Sequence, residues 1–220
     1  VLFRSVLRTI RGGNWQTIVL PFAMTEEQVT DVFGDDVELA DFAGYETQEN
    51  EDEEIVGIKV NFNTITSIEA NHPCIIKVSQ DISSFSVEDV IIEEPEVEPT
   101  VAAVKRNKRQ WSELIGTYVA QTEVPENTLF LNSNKFYYSD GTIKMKGYRA
   151  YFDFYDLLTE IEEGAGVKMF FNIDDEETGI KGIDQGQRTK DDIYDLSGRK
   201  VAQKQQKGIY IVNGKKVVIK

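Results

Sequence analysis

The chain has 220 residues, of which 40% are hydrophobic and 28% charged, and it carries a net charge of −14. Such a chain can bury one good core, or one domain plus a small appendage. No run reaches the ~20 apolar residues of a membrane-crossing helix. The single cysteine, Cys74, excludes an internal disulfide and a cysteine-rich metal centre. The charge is uneven. Residues 193–220 hold seven basic residues and one acid, a net +6, so the rest carries −20. An acidic body of this kind repels phosphates, and a nucleic-acid partner is not expected. The first residue is Val1 and no signal-peptide pattern precedes Trp15, so the sequence reads as a piece of a longer or processed protein.

Val6–Ile10 has strand character and leads through the turn 11–14 into Trp15–Phe22, W-Q-T-I-V-L-P-F. Both parities of that run are apolar apart from Gln16, which predicts a central strand buried on two faces, ended by Pro21. A helix is predicted next. Thr25 and Gln28 form a capping box, Glu26 and Glu27 suit the positive end of the helix dipole, Met24 and Val29 are spaced as a staple, and Gly34 closes it. It is expected to lie as a lid on the sandwich rim.

Val37–Tyr45 is extended. Glu46–Glu54, with six acids in nine positions, reads as a solvated hairpin loop, and Ile55–Phe62 returns from it. Cys74–Val78 is another buried strand, started by Pro73, and Phe85–Ile92 follows. The stretch 93–99 reads as an edge strand or exposed connection. Val101–Val104 and Trp111–Tyr118 flank the basic turn 105–109. Thr128–Leu131 and Phe136–Tyr138 form a hairpin about residues 132–134. Lys144–Phe154 reads as one long strand, with Tyr148, Ala150, Phe152 and Phe154 on one side and Arg149, Tyr151 and Asp153 on the other. A short helix over 156–163 and a closing strand over 167–173 complete the body. Short strands every 8–12 residues with one helix predict an all-β fold, an antiparallel β-sandwich or jelly roll, over residues 1–175. Residues 176–192 read as a linker, and 193–220 as four short strands around the hairpin signal Asn213-Gly214.

The tail reads Y-D-L-S-G-R-K-V, then G-I-Y-I-V, then K-K-V-V-I-K. In this it resembles the short C-terminal sorting domains of Bacteroidota surface and secreted proteins. The matching positions are Tyr194, Asp195, Leu196, Gly198, Arg199, Val201, Gly208, Tyr210, Ile211, Val212, Lys215, Lys216, Val217, Ile219 and Lys220. The resemblance implies export across the outer membrane by a type IX-like route, with the export machinery as a partner. The body is similar to a second family through W-Q-T-I-V-L-P-F, F-G-D-D-V-E-L-A-D-F, I-E-A-N-H-P-C-I-I-K, L-I-G-T-Y, L-F-L and M-K-G-Y-R-A-Y-F. This is a β-sandwich module of large Bacteroidota surface proteins, found after leucine-rich repeats or other adhesin-like modules. The resemblance spans residues 6–175. It implies a fold, upstream modules of the same chain as partners and an extracellular or cell-surface setting. It brings no catalytic residues.

His72 is the one histidine, so a Ser-His-Asp or Cys-His device would have to use it, with Cys74 two residues away. The run around Cys74 looks like core, and a core thiol beside a loop histidine is the better reading. Zinc lacks ligands. The acids 35–36, 51–54 and 174–177 lack the spaced calcium loop and read as solvated turns. No catalytic residue, metal or cofactor is expected. The expected function is a non-catalytic structural or adhesion module. The alternative is a carbohydrate-binding module using exposed aromatics of the 137–155 region. Its candidate ligand-binding residues are Trp111, Tyr138, Arg149, Tyr151 and Asp153, with rings for sugar faces and polar groups for hydroxyls; Tyr137, Tyr148 and Tyr155 belong to the same aromatic set. Glycans or host proteins are the partners that either reading implies.

Overall fold

The structure is a computed structural model that describes residues 3–95, 101–105, 111–155, 157, 168–174, 193–195, 200–201, 208–212 and 215–219. It divides into two compact units, Val1–Gly179 and Ile180–Lys220.

The larger unit runs β1 (Phe3–Val6), β2 (Gln16–Ile18), α1 (Glu26–Phe33), β3 (Glu38–Glu49), β4 (Ile55–Ile65), β5 (Cys74–Lys77) and β6 (Phe85–Glu88). It continues with β7 (Val101–Lys105), β8 (Trp111–Thr117), β9 (Thr122–Glu123), β10 (Leu129–Asn132), β11 (Lys135–Tyr138), β12 (Lys144–Met145), β13 (Arg149–Asp153) and β14 (Lys168–Ile173). Two five-stranded sheets result, in the orders β14-β4-β3-β5-β2 and β11-β10-β13-β8-β7, with two-stranded ribbons β1-β6 and β12-β9. The fold is an all-β sandwich that carries the short helix α1. Among the described strands the pairings are antiparallel except one: β14 runs parallel to β4.

Alternation along the strands builds the core. Ala40, Phe42, Tyr45, Ile58, Val60, Phe62 and Ile75 of the first sheet face Leu114, Leu129, Ala150, Phe152 and Phe154 of the second. Phe152 packs against Phe42 at 5.6 Å, Phe154 at 6.1 Å and Phe62 at 6.2 Å between ring centroids. Each buried ring of this kind contributes ~1.5–3 kcal/mol. Neighbouring positions of the first sheet, Ile18, Leu39, Cys74 and Ile76, point the other way. They pack under α1 (Val29, Phe33) and the β1-β6 ribbon (Val6, Phe85, Val87). The helix therefore covers a sheet face and is not a lid on the rim. Its capping box forms, with Gln28 N–H donating to Thr25 Oγ1 at 3.3 Å and Thr25 N–H to Gln28 Oε1 at 2.9 Å. Gly34 ends it at a positive φ of 94°.

This third layer explains why both faces of Trp15–Phe22 are apolar. It also corrects the position of that segment: β2 has three residues and stands at the edge of its sheet. Its free side is closed by other means. Thr17 Oγ1 accepts from Ala150 N–H and donates to Ala150 C=O, both at 2.9 Å. The Arg8 guanidinium, 3% exposed, donates to the carbonyls of Thr17 and Tyr148, and so joins the edge strand to the start of β13. Placing Arg8 there takes residues 7–9 out of any ladder, which moves the first strand from the expected 6–10 to Phe3–Val6. Burial, and Arg149 nearby, push the Arg8 pKa well below its ordinary value.

Other boundaries differ for local reasons. β3 extends to Glu49 because its acids have cross-strand partners; Glu46 pairs with Lys59, 3.9 Å between charged atoms. The turn is then only 50–54, with Asn50 Oδ1 accepting from the N–H groups of Asp52 and Glu54. β6 stops at Glu88, Asp89 has a positive φ, and Ile91 and Ile92 are exposed. The expected long strand 144–154 is broken into β12 and β13. At the break, a Cβ on Gly147 would lie 2.4 Å from the Tyr118 carbonyl oxygen, and Tyr148 takes a φ of 60°. Tyr148 thereby leaves the Ala150–Phe152–Phe154 row and packs edge-on to Tyr118 at 5.8 Å. Between β4 and β14 the buried amides of Asn61 and Asn172 meet through one hydrogen bond of 2.7 Å, leaving Asn61 Nδ2 and Asn172 Oδ1 without partners. The expected helix 156–163, apart from Leu157, the basic turn 106–109 and the linker 176–192 lie outside the described residues.

The smaller unit is a four-stranded antiparallel sheet, β16-β15-β17-β18, built from β15 (Ile193–Asp195), β16 (Lys200–Val201), β17 (Gly208–Val212) and β18 (Lys215–Ile219). Val212 pairs with Lys215, so two residues join β17 to β18.

Candidate functional site

The face of the second sheet turned away from the core carries the aromatic residues of interest. On β8, Trp111, Glu113, Ile115 and Thr117 share it by alternation; on β13, Arg149, Tyr151 and Asp153 do. The ladder sets Arg149 opposite Thr117, Tyr151 opposite Ile115 and Asp153 opposite Glu113. The face has two different ends. At one, the β12-β9 ribbon supplies Val124 and Met145, which pack with Ile115 and Tyr151. Tyr151 is only 9% exposed there, which corrects its place among the exposed rings. Arg149 is half-buried, and burial lowers its pKa.

Tyr138 does not join this face. It pairs with Leu129, whose side chain is in the inter-sheet core, so it has the inward parity, at the edge strand. It is exposed, and its hydroxyl donates to Asn127 Oδ1. Its neighbour Tyr137 has the outward parity and stacks on Phe130 at 5.6 Å.

At the other end, Trp111 and Asp153 come together with Glu113 and Tyr155. Trp111 Nε1–H donates to Glu113 Oε1 at 2.7 Å, and the Tyr155 hydroxyl donates to Glu113 Oε2 at 3.1 Å. One carboxylate thus orients both rings. The rings stand 6.2 Å apart at 81°, packed edge to face. Asp153 Oδ1 accepts from Tyr155 N–H at 2.7 Å, and Tyr155 holds a φ of 48°, uncommon for an aromatic residue. Tyr155 is 46% exposed and Trp111 half-buried. Burial raises the Asp153 pKa, and the like charge of Glu113 across the ladder acts in the same direction. The sequence contained the signal for Glu113. In W-S-E the acid is two residues from the indole, hence on its face of a strand.

His72 and Cys74 are parts of the fold. His72 Nε2 lies 2.7 Å from Asp41 Oδ1, and that hydrogen bond raises the His72 pKa. Cys74 is buried, and desolvation pushes its thiol up to about 12, where it holds its proton. A shallow cleft of about 240 Å³ lies between α1 and the end of the first sheet, with Trp15, Val29, Leu39 and Ile65 below and Glu26, Asp35 and Glu38 at its rim. Glu38 is matched by Lys77 at 2.5 Å, and Lys77 also lies 5.7 Å from the Trp15 ring centre. Among the described residues no group of three or more His, Cys, Asp or Glu side chains is placed to hold a metal ion, and no helix is long and apolar enough to cross a membrane.

Of the tail positions singled out, Tyr194 and Asp195 are on β15, Gly208 and Tyr210 on β17, and Lys215 and Lys216 on β18. Asp195 pairs with Tyr210, and Ile211 lies between Tyr194 and Lys216. Leu196, Gly198, Arg199 and Lys220 lie outside the described residues. No protein-family model matches the chain, and neither a curated protein nor a solved structure matches it.

Proposed function

We propose that this chain is a non-catalytic module of a secreted or cell-surface protein, with a structural or adhesive role and a C-terminal tail that directs its export. The tail's resemblance to Bacteroidota sorting domains supports the export half of this reading. The observation that carries the adhesive half is the open end of the second sheet. There Trp111 and Tyr155 are oriented by Glu113 and kept partly accessible, an arrangement that packing alone does not call for. A non-catalytic role is supported by Cys74, whose thiol is buried and holds its proton. The same open end favours the second reading, a carbohydrate-binding module, over a bare spacer.

Fractionation of cells producing the full chain and a chain lacking residues 193–220 tests the export half. Surface or medium location of the full chain, lost in the shortened one, is expected. Equal retention of both inside the cell overturns it. Loss of adhesion to host cells or glycans on Trp111→Ala tests the other half.

A further inference from the structure

We infer that β11, an edge strand of the second sheet, pairs with β11 of a second copy of this chain, antiparallel and about a two-fold axis through Tyr137. The pairing is independent of export and of glycan binding.

Two residues, Ser133 and Asn134, join β10 to β11, and both take a positive φ, of 50° and 61°. Such a turn makes its flanking residues, Asn132 and Lys135, a pair that exchanges both backbone hydrogen bonds. Every second pair repeats this, in keeping with Ser139 N–H donating to the Thr128 carbonyl at 2.9 Å. Phe136 and Tyr138 therefore turn their N–H and C=O groups away from β10. Among the described strands none pairs with that side of β11. The edge at β2, by contrast, is closed by Arg8 and Thr17. β11 is also well anchored. Phe136 stacks on Phe171 at 4.7 Å, and in the turn Asn134 Oδ1 accepts from Trp15 N–H at 2.6 Å. A strand docking there meets a template that is already ordered.

Register selects the partner. With the axis at Tyr137, Phe136 lies opposite Tyr138 of the second copy. The two outward N–H groups of each copy then meet the two outward carbonyls of the other. Tyr137 lies opposite its own counterpart as a close, non-hydrogen-bonded pair. It is 42% exposed and stacks on Phe130 at 5.6 Å, so a second Tyr137 continues a row of rings across the axis. The one charge of β11, Lys135, falls opposite Ser139, and no like charges face each other along the paired strands. No acid occurs between Glu126 and Asp140, so the hairpin brings none to the contact, in a chain whose net charge of −14 opposes self-association elsewhere. Four residues a side make a small contact, and the dimer is weak and concentration-dependent.

Sedimentation velocity of the full chain from micromolar to millimolar concentration tests the pairing. The mass is expected to rise from one chain toward two. Tyr137→Glu and Tyr137→Lys each set like charges on the axis and should weaken the dimer by about tenfold or more. An equimolar mixture of these two variants should associate again, because a carboxylate then faces an ammonium. Unchanged circular dichroism spectra confirm that both variants fold. Tyr137→Cys should oxidise to a covalent dimer faster than Lys135→Cys, since position 137 alone meets its own copy; the native Cys74 is buried. A mass of one chain at every concentration overturns the inference and leaves the edge to an extended segment of another protein. Association that both charge variants keep, a mixture that does no better than either alone, or growth beyond two chains overturns it as well.

Discussion

The two sheets of the sandwich differ in what they do with their second face. The first sheet is closed on both sides, by its partner sheet and by α1 with the β1-β6 ribbon. Among the described residues, the second is covered on its outer side where Val124 and Met145 pack on Tyr151 and Ile115, while Tyr155 at the other end is 46% exposed. Identical alternation thus has different meanings. On the first sheet it separates two cores. On the second it separates a core from a surface that is partly buried and partly exposed. A ring on an outward position is therefore no guide to exposure, as the contrast between Tyr151 and Tyr155 shows.

The contrast can be broken most strongly from the shared core. Phe152 is fully buried between the sheets and touches rings from both. Phe152→Ala should cost ~3–5 kcal/mol in urea unfolding, whereas a cost below about 1 kcal/mol would mean that the sheets do not pack as described. Next is the seam at the edge of the first sheet. Arg8→Ala leaves the Thr17 and Tyr148 carbonyls to find other partners and should cost about 2–4 kcal/mol. Arg8→Lys should recover little of it, since one ammonium does not reproduce a planar fork. Gly147→Ala sharpens the comparison at the point where the outer cover of the second sheet begins. Its Cβ meets the backbone oxygen of Tyr118, and a loss of ~1–3 kcal/mol is expected in thermal unfolding.

A smaller effect depends on pH. His72 has a raised pKa in the folded chain because Asp41 accepts its hydrogen bond, so the protonated form is the one that stabilises. That contribution is fully present below the unfolded histidine value of about 6.5 and fades as pH rises through the higher folded value. Melting temperatures measured across this range should fall for the parent chain relative to His72→Gln; parallel curves would refute the coupling. Smallest of all, Tyr155→Phe should change stability by less than about 0.5 kcal/mol, since the ring is half exposed. A large loss would make the Trp111–Tyr155 pair a structural element of the sheet.

Much of this architecture was legible in the residues. Thr25, Gln28 and Gly34 marked the helix because capping is local chemistry between groups three or four residues apart. The inward row Ala150–Phe152–Phe154 and the outward row Arg149–Tyr151–Asp153 followed from a period of two. What was not legible depended on distant partners. The Gly147 break needs the Tyr118 carbonyl, and the edge position of β2 needs Arg8 and Ala150. The burial of Tyr151 needs Val124 and Met145. Of the candidate residues, Trp111 and Asp153, chosen from residue type and parity, come together beside Glu113 and Tyr155. Glu113 became visible only when its two hydrogen bonds showed what holds the rings.

The parallel docking of β14 has a consequence for how the chain is made. Asn61 and Asn172, which meet across that pairing, are 111 positions apart in sequence. As the chain is synthesised, β2, β3, β4 and β5 are complete long before residue 168 exists, so the outer hydrogen-bonding edge of β4 waits with no strand beside it. An unpaired edge of that length is a template for other chains. A ribosome stalled or a protease cutting after Leu157 would release a nearly finished sandwich with an adhesive border. A chain of this topology gains by being chaperoned until β14 can close the sheet.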